Sequence, residues 1–354
     1  MARAEGGRLA YADLLRVAAI LAMVVLHIAG GWMAEVDVGS GAWRVFNVYN
    51  GLVRWCVPVF VMLSGMFLLD PKKKVGLGDL IFKYMLRVLA ALLFWNFLYE
   101  LFGHLLEHDR FTPALVFDAF MQAVWGKAHY HLWFLFMILG LYLITPVLRA
   151  FVRGASRGDL HWFFAVTFVV ACLLPTLLKL RPSATASAWL GQMQIHLVLG
   201  YVGFYVAGYY LKTYTLGRVA EVLIYVLGAG GAVATVWGNA ALSARDGGQA
   251  LVLYSYLSPN VVCMSVAVFV LFRYVLGLSE ERSRRQRAGG LARISFGVYL
   301  VHDFFIMLLR HFGVSTLSFA PALAVPVLAL GVFLCAALAA WPISKIPLVG
   351  KYLT

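Results

Sequence analysis

Long apolar stretches recur along the chain, each closed by a short polar or basic segment. A helix that crosses the ~30 Å hydrocarbon core of a bilayer needs ~20 mostly apolar residues. Ten stretches have about that length, at roughly 10–31, 52–69, 82–102, 131–150, 161–179, 194–211, 219–239, 255–277, 292–311 and 321–341. The pattern predicts an all-α integral membrane protein with about ten transmembrane helices. A further run at 113–125 is short and amphipathic, and reads as an interfacial or re-entrant segment. The first run resembles a signal peptide in length, but the nine runs behind it and its own polar groups favour an uncleaved helix. The longest loop, about 103–130, is too short for a soluble domain. A single membrane domain over 1–354 is expected, with no appended soluble domain and no evident internal repeat.

Composition agrees: the chain is 62% hydrophobic and 13% charged, against about 45–50% and about 25% for soluble globular chains. Its 29 Lys and Arg outnumber its 16 Asp and Glu. In a soluble protein that excess suggests nucleic acid, but here topology explains it, because Lys and Arg collect in cytoplasmic loops. With the N-terminus inside, twenty of the 29 basic residues fall on the cytoplasmic side, eight fall outside, and Arg16 lies within the first helix. Both termini are therefore expected in the cytoplasm, with no nucleic-acid partner. Cys56, Cys172, Cys263 and Cys335 all sit in apolar runs, so neither a disulfide nor a metal is expected from them. The ten Trp and seventeen Tyr mostly suit interfacial belts.

The polar residues inside the spans carry the chemistry. The stretch DLLRVAAILAMVVLH places Asp13, Arg16 and His27 in the first helix. Arg16 and His27, eleven residues apart, return to within ~20° of one face, ~16 Å apart along the axis. Asp13 falls within ~60° of both. Intramembrane charges are costly and usually mark a pathway or a site. The plainer readings are an Asp13–Arg16 pair snorkelling to the inner interface and a His27 that only packs. Other histidines cluster by depth: His129 and His131 at the outer start of the fourth span, His196 opening the sixth, and His302 beside Asp303 in the ninth. Asn96 and Glu100 lie toward the same outer side. An imidazole beside a carboxylate suits proton removal from a hydroxyl. On the inner face Lys72–Lys74, Lys83, Arg87, Arg149, Arg153 and the RSRRQR run at 282–287 form a basic surface. Lys83 and Arg87, one helical turn apart, are positioned to hold an anion arriving from the cytoplasm.

Arg16, ten residues and then His27 resembles the first-helix signature of the acyltransferase-3 membrane family. VPVFVMLSGMFLL at 57–69, with Pro58, Ser64 and Gly65, is similar to that family's second helix, and KYMLRVL at 83–89 to its basic third-helix start. HLWFLFMILGLYLITPVLR at 131–149 resembles the fourth helix, and LARISFGVYLVHDFF at 291–305 the late Ser-x-x-x-Tyr-Leu-x-His segment. Five pieces in family order are specific where each alone is weak.

The resemblance implies a membrane O-acyltransferase that moves an acyl group, usually acetyl, from cytoplasmic acyl-CoA to a hydroxyl of a carbohydrate or lipid-linked glycan. It makes His27 general base or transient acyl carrier. Arg16 becomes a CoA-side contact or a clamp on the pocket. Lys83 and Arg87, with Arg149 and Ser64, become candidate contacts for acetyl-CoA. His302 and Tyr299 lie in a matched segment. Glu100 and His131 join the candidates on depth, as catalytic and substrate-binding residues, and Trp133 and Asp13 join the substrate side. No metal is expected. Some family members carry a soluble esterase-like domain after the last helix. This chain ends at Thr354, so direct transfer to the acceptor, or to a separate partner protein, is expected. The fourth-helix stretch resembles branches linked with exopolysaccharide, cellulose-type or surface-antigen acylation. The expected setting is the bacterial cytoplasmic (inner) membrane. Lipids, an exopolysaccharide acceptor and polysaccharide-synthesis machinery are the expected partners, and there is apolar surface enough for a homo-oligomer. The alternative is a transporter or flippase for a polysaccharide or lipid-linked glycan. A proton-coupled carrier using Asp13 and His27 is the third reading.

Overall fold

The first apolar run forms one uninterrupted helix, α1 (Ala10–Gly31), which has no proline and keeps its glycines for its last two positions. The computed structural model describes residues 9–108, 112–125, 128–185, 187, 200–276, 288–347 and 349–353. All its regular structure is helical, with no strand among the described residues. The predicted span at 52–69 corresponds to α3 (Cys56–Leu68), and a helix that the apolar pattern did not predict, α2 (Gly41–Leu52), leads into it. Pro58 lacks the N–H that would bond the Arg54 carbonyl, so the chain turns at 53–55 and the helix restarts. That turn sets Arg54 on the wall of a cavity described below.

Next come α4 (Leu86–His108), preceded by a stretch of wider π-type turns at Leu80–Met85, and α5 (Pro113–Trp125), packed along α4. A single 3-10 turn, Tyr130–Leu132, leads into α6 (Trp133–Gly154). The remainder is α7 (Arg157–Thr167), which continues through π-type turns to Leu180; α8 (Val202–Thr213); α9 (Arg218–Val233); α10 (Asn239–Asp246); α11 (Pro259–Tyr274); α12 (Ala288–His311); α13 (Pro321–Ile343); and the short α14 (Val349–Leu353).

Among the described residues eight helical stretches are long and apolar enough to cross a membrane, which makes this a multi-pass membrane protein. The predicted spans at 82–102 and 194–211 are not among the eight. The first is α4, whose apolar run is interrupted by Arg87, Asn96 and Glu100. The second is α8, which is twelve residues long; its predicted start at 194–199 lies outside the described residues, as do His196 and the RSRRQR run.

One continuous core runs through the bundle. α1 occupies its middle, packed against α2, α3, α11, α12 and α13. α3 and α8 approach to backbone contact. A Cβ on Gly65 would collide with the Tyr205 carbonyl, and one on Gly208 with the Met62 carbonyl. Lipid supplies no hydrophobic drive between helices, so such backbone contact through small residues is a principal source of cohesion.

The bundle has two distinct ends. At one, the start of α1 meets the end of α3 through Tyr11 and Met66. Asp70 bonds Lys212 at the same end, and Arg149 caps the carbonyls of the 68–73 turn. At the other, the end of α1 meets α12, where Arg310 bonds the Gly31 carbonyl and Glu35. Arg16 and His27 therefore point a single helix from the basic end toward the histidine-bearing end.

Candidate active site

Three elements converge on His27. α1 supplies His27 itself. α12 supplies Tyr299, His302 and Asp303 at adjacent turns. The turn before α6 supplies His129, Tyr130 and His131. Asn96 of α4 fixes that turn, because its side-chain oxygen accepts the His129 backbone N–H at 2.8 Å while its amide donates to the Ala123 carbonyl. Tyr99, one turn along α4, stacks on the His129 ring at 4.3 Å between centroids and donates its hydroxyl to the Leu300 carbonyl.

Asp303 organises the cluster. Its Oδ2 accepts from His129 Nε2 at 2.6 Å, and its Oδ1 accepts the Tyr130 hydroxyl, also at 2.6 Å. Tyr130 then lies 3.3 Å from Nδ1 of His27. A phenol has one proton, and a short bond to an ionised carboxylate is the stronger use of it. The phenol oxygen therefore accepts from His27 Nδ1–H, which leaves Nε2 of His27 with a free lone pair. The network assigns this tautomer. His302 is fixed likewise: its Nδ1–H donates to the Tyr299 carbonyl at 2.7 Å, so its Nε2 is an acceptor, buried without a hydrogen-bond partner. The His302 and His27 rings stand 5.1 Å apart between centroids.

His27 stands in the wall of two cavities. One, of about 170 Å³, runs between Arg16 and His27 and is lined also by Ser64, His131, Trp133 and Tyr299. The other, of about 370 Å³, lies on the far side and is lined by His27, Arg54, His129, Tyr130, Asp303 and Arg310. A third cavity, of about 270 Å³ beside α7, α8 and α11, has an almost wholly apolar lining and none of these groups.

The sequence-derived candidates divide cleanly. Arg16, Ser64, His131, Trp133 and Tyr299 share the first cavity with His27, and His302 packs directly behind it. Ser64 donates to the Phe60 carbonyl within its own helix. Trp133 stacks on Tyr256 with 5.8 Å between centroids. Tyr299 donates to the His131 carbonyl. Arg87 lies over the ring of Phe296, a lining residue of the same cavity, while Lys83 is exposed one turn before it. Three candidates fall elsewhere. Glu100 is half-buried and lines neither cavity, because one residue of helix is a 100° turn and Tyr99 takes the face toward α12. Asp13 is buried but lines neither cavity. Arg149 is committed to the carbonyls of Leu68, Asp70 and Lys73, a structural clamp rather than an open anion contact.

Four residues enter the site from outside the set of candidates. Asp303 and His129 were legible by position, the first beside His302 and the second beside His131. Tyr130 carried no signal, since nothing marks a tyrosine between two histidines as a bridge. Arg54 reads in the sequence as one more outer-loop cation. In the structure its guanidinium lies 4.3 Å over the Tyr254 ring and faces the second cavity.

A helical membrane bundle with a His–Tyr–Asp chain between two cavities, anchored on the buried Asp303, has the equipment for acid–base transfer chemistry inside a bilayer. The chain belongs to the acyltransferase-3 family: the family's acyltransferase domain model matches residues 9–341. Nothing matches among curated proteins or among solved structures. Family membership points to membrane acyltransferase activity.

Proposed function

We propose that the protein is an acyl-CoA-dependent O-acetyltransferase of the bacterial inner membrane, which acylates a hydroxyl of a carbohydrate or exopolysaccharide at the outer side. The observation that carries this reading is the position of His27, in the wall of both cavities with an unengaged Nε2. Two reactants that never share a compartment need such a residue; a flippase for a glycan does not.

The donor thioester enters along Arg16, over a distance of ~16 Å that suits an extended pantetheine arm. Arg87 and Lys83 hold its phosphates at the basic end. The acceptor hydroxyl comes from the Arg54 side. Nε2 of His27 takes the hydroxyl proton as the oxygen attacks the thioester carbonyl. The C–S bond breaks, and the proton passes to the leaving thiolate, giving an ester and free CoA. While His27 carries the proton, Tyr130 and ionised Asp303 stabilise the imidazolium from the Nδ1 side. Water and the acceptor compete for the same acyl group, so a narrow, largely apolar donor cavity favours transfer over hydrolysis.

Membrane vesicles of both orientations, given acetyl-labelled acetyl-CoA, test the reading. Label entering the glycan fraction only where the donor reaches the cytoplasmic face, and not in His27→Ala vesicles, is the expected result. Label entering glycan equally from either face contradicts the sidedness, and no donor consumption at all contradicts the reaction.

A further inference from the structure

We propose that His129, His131 and Asp303 form a site for a Zn²⁺-class divalent ion in the layer that separates the two cavities. One donor atom from each residue lies within 4.8 Å of the others. Asp303 Oδ2 is 2.6 Å from His129 Nε2 and 4.0 Å from His131 Nδ1. Tetrahedral Zn²⁺, with N and O ligands at ~2.0–2.2 Å, sets its ligand atoms ~3.3–3.5 Å apart. The two separations to Asp303 bracket that value, and drawing together the His129 and His131 nitrogens, which lie within 4.8 Å of each other, completes the site.

The second, independent observation is His131 itself. Its side chain is 1% exposed, yet both ring nitrogens are buried without a hydrogen-bond partner. Buried polar groups are almost always satisfied, and an imidazole left with neither bond is costly to bury. An ion at Nδ1 removes one of the two orphans. His302 Nε2 is a further buried acceptor without a partner, on a ring 5.0 Å from that of His131, and is the candidate fourth donor.

The donor chemistry selects the ion. Two imidazoles and one carboxylate suit Zn²⁺ and its neighbours, whereas Mg²⁺ and Ca²⁺ prefer all-oxygen sets. The ion does not compete with the acid–base chain, because Tyr130 uses Oδ1 of Asp303 and leaves Oδ2 to the ion. It replaces the proton now shared between His129 and Oδ2, as metal binding generally displaces ligand protons. His129 is 20% exposed and lines the second cavity with Asp303, which supplies a path in. The cysteines, which carried the sequence reading of no metal, play no part; the ligands come from segments about 170 residues apart.

The test uses the full chain, purified in mild detergent with a tag other than polyhistidine and with no chelator. Elemental analysis is expected to find about one Zn²⁺ per chain. A His129→Ala/His131→Ala double variant should lose it. His161→Ala should keep it, since His161 sits by Tyr210, away from this cluster. Wild-type protein stripped with chelator should gain thermal stability on adding Zn²⁺, and with Co²⁺ should show the visible absorption of a tetrahedral complex. The Co²⁺ spectrum decides the matter if the double variant does not fold. Protein that is isolated metal-free and gives neither a Zn²⁺ shift nor a Co²⁺ band overturns the site, as does a double variant that retains its zinc. Neither result bears on acyl transfer, which CoA release reads separately.

Discussion

The Tyr130 hydroxyl oxygen lies 3.3 Å from Nδ1 of His27. The same hydroxyl gives its proton to Asp303 at 2.6 Å, so three residues from three segments form one chain ending at the histidine. An isolated imidazole inside a membrane bundle would be free to turn or to exchange tautomers. This one is held with its Nε2 available, which is the form that can take a proton.

Tyr130→Phe removes the middle of that chain and almost nothing of its volume. The expected result is a fall in kcat of about 10²-fold, within the range of a positioned acid–base group, with the KM for acyl-CoA nearly unchanged. Steady-state kinetics of CoA release measure both. A fall confined to KM would mean that Tyr130 contacts the donor instead.

Arg87 and Lys83 are separable. Arg87 is half-buried over Phe296 at the donor cavity, and Lys83 is exposed. Arg87→Ala should weaken CoA binding by about tenfold, equivalent to ~1.4 kcal/mol, whereas Lys83→Ala should change it by less, as exposed charge pairs do. Calorimetric titration of CoA into the detergent-solubilised variants checks the order, and the reverse order would move the phosphate contact outward.

Gly65 allows α3 to touch α8. Gly65→Ala must push the two backbones apart, since its Cβ meets the Tyr205 carbonyl rather than a movable side chain. The expected loss is about 1–3 kcal/mol, read as a lower Tm in detergent. Ser64 on the adjacent cavity wall moves with α3, so activity should fall further than stability alone explains. An unchanged Tm would show that the helices have room to part.

Asp70 offers a pH signature outside the membrane-spanning segments. Burial raises its pKa, but the Lys212 ammonium at 2.6 Å and the Lys72 backbone N–H lower it by more, so the carboxyl sits below its ordinary value. A depressed pKa in the folded state contributes stability that is fully present above the unfolded value of about 4 and fades as pH falls through the folded one. The Tm difference between wild type and Asp70→Asn should therefore be largest at neutral pH and shrink below about pH 4. Both side chains are partly exposed, so the difference is modest and should also shrink in high salt.

Much of this was legible in the sequence, and the boundary has a physical meaning. Depth along a helix follows from counting residues, so His27, His131 and His302, placed at similar depth by that count, are neighbours in the fold. The Arg16–His27 stripe likewise bounds one cavity. Azimuth was not legible, because which face a helix turns to its neighbours depends on packing. Glu100 has the right depth and the wrong face, while Tyr99 beside it reaches α12. Arg149 has the right end of the bundle, yet loop carbonyls that no periodicity reveals take its guanidinium. Tyr130 and Arg54 lie in turns, where the chain follows neither the helical nor the strand repeat, and only the folded chain brings them to His27.

We propose that His27 performs the transfer on a donor that binds from the Arg16 side. The most direct measurement is acetyl-CoA turnover by purified wild-type and His27→Ala protein, with thermal stabilisation by CoA recorded for both. The expected result is that CoA stabilises both proteins equally and that only the wild type releases CoA at a measurable rate. Stabilisation of neither protein would contradict it by removing the donor site, and turnover by His27→Ala at the wild-type rate would contradict it by removing His27 from the chemistry.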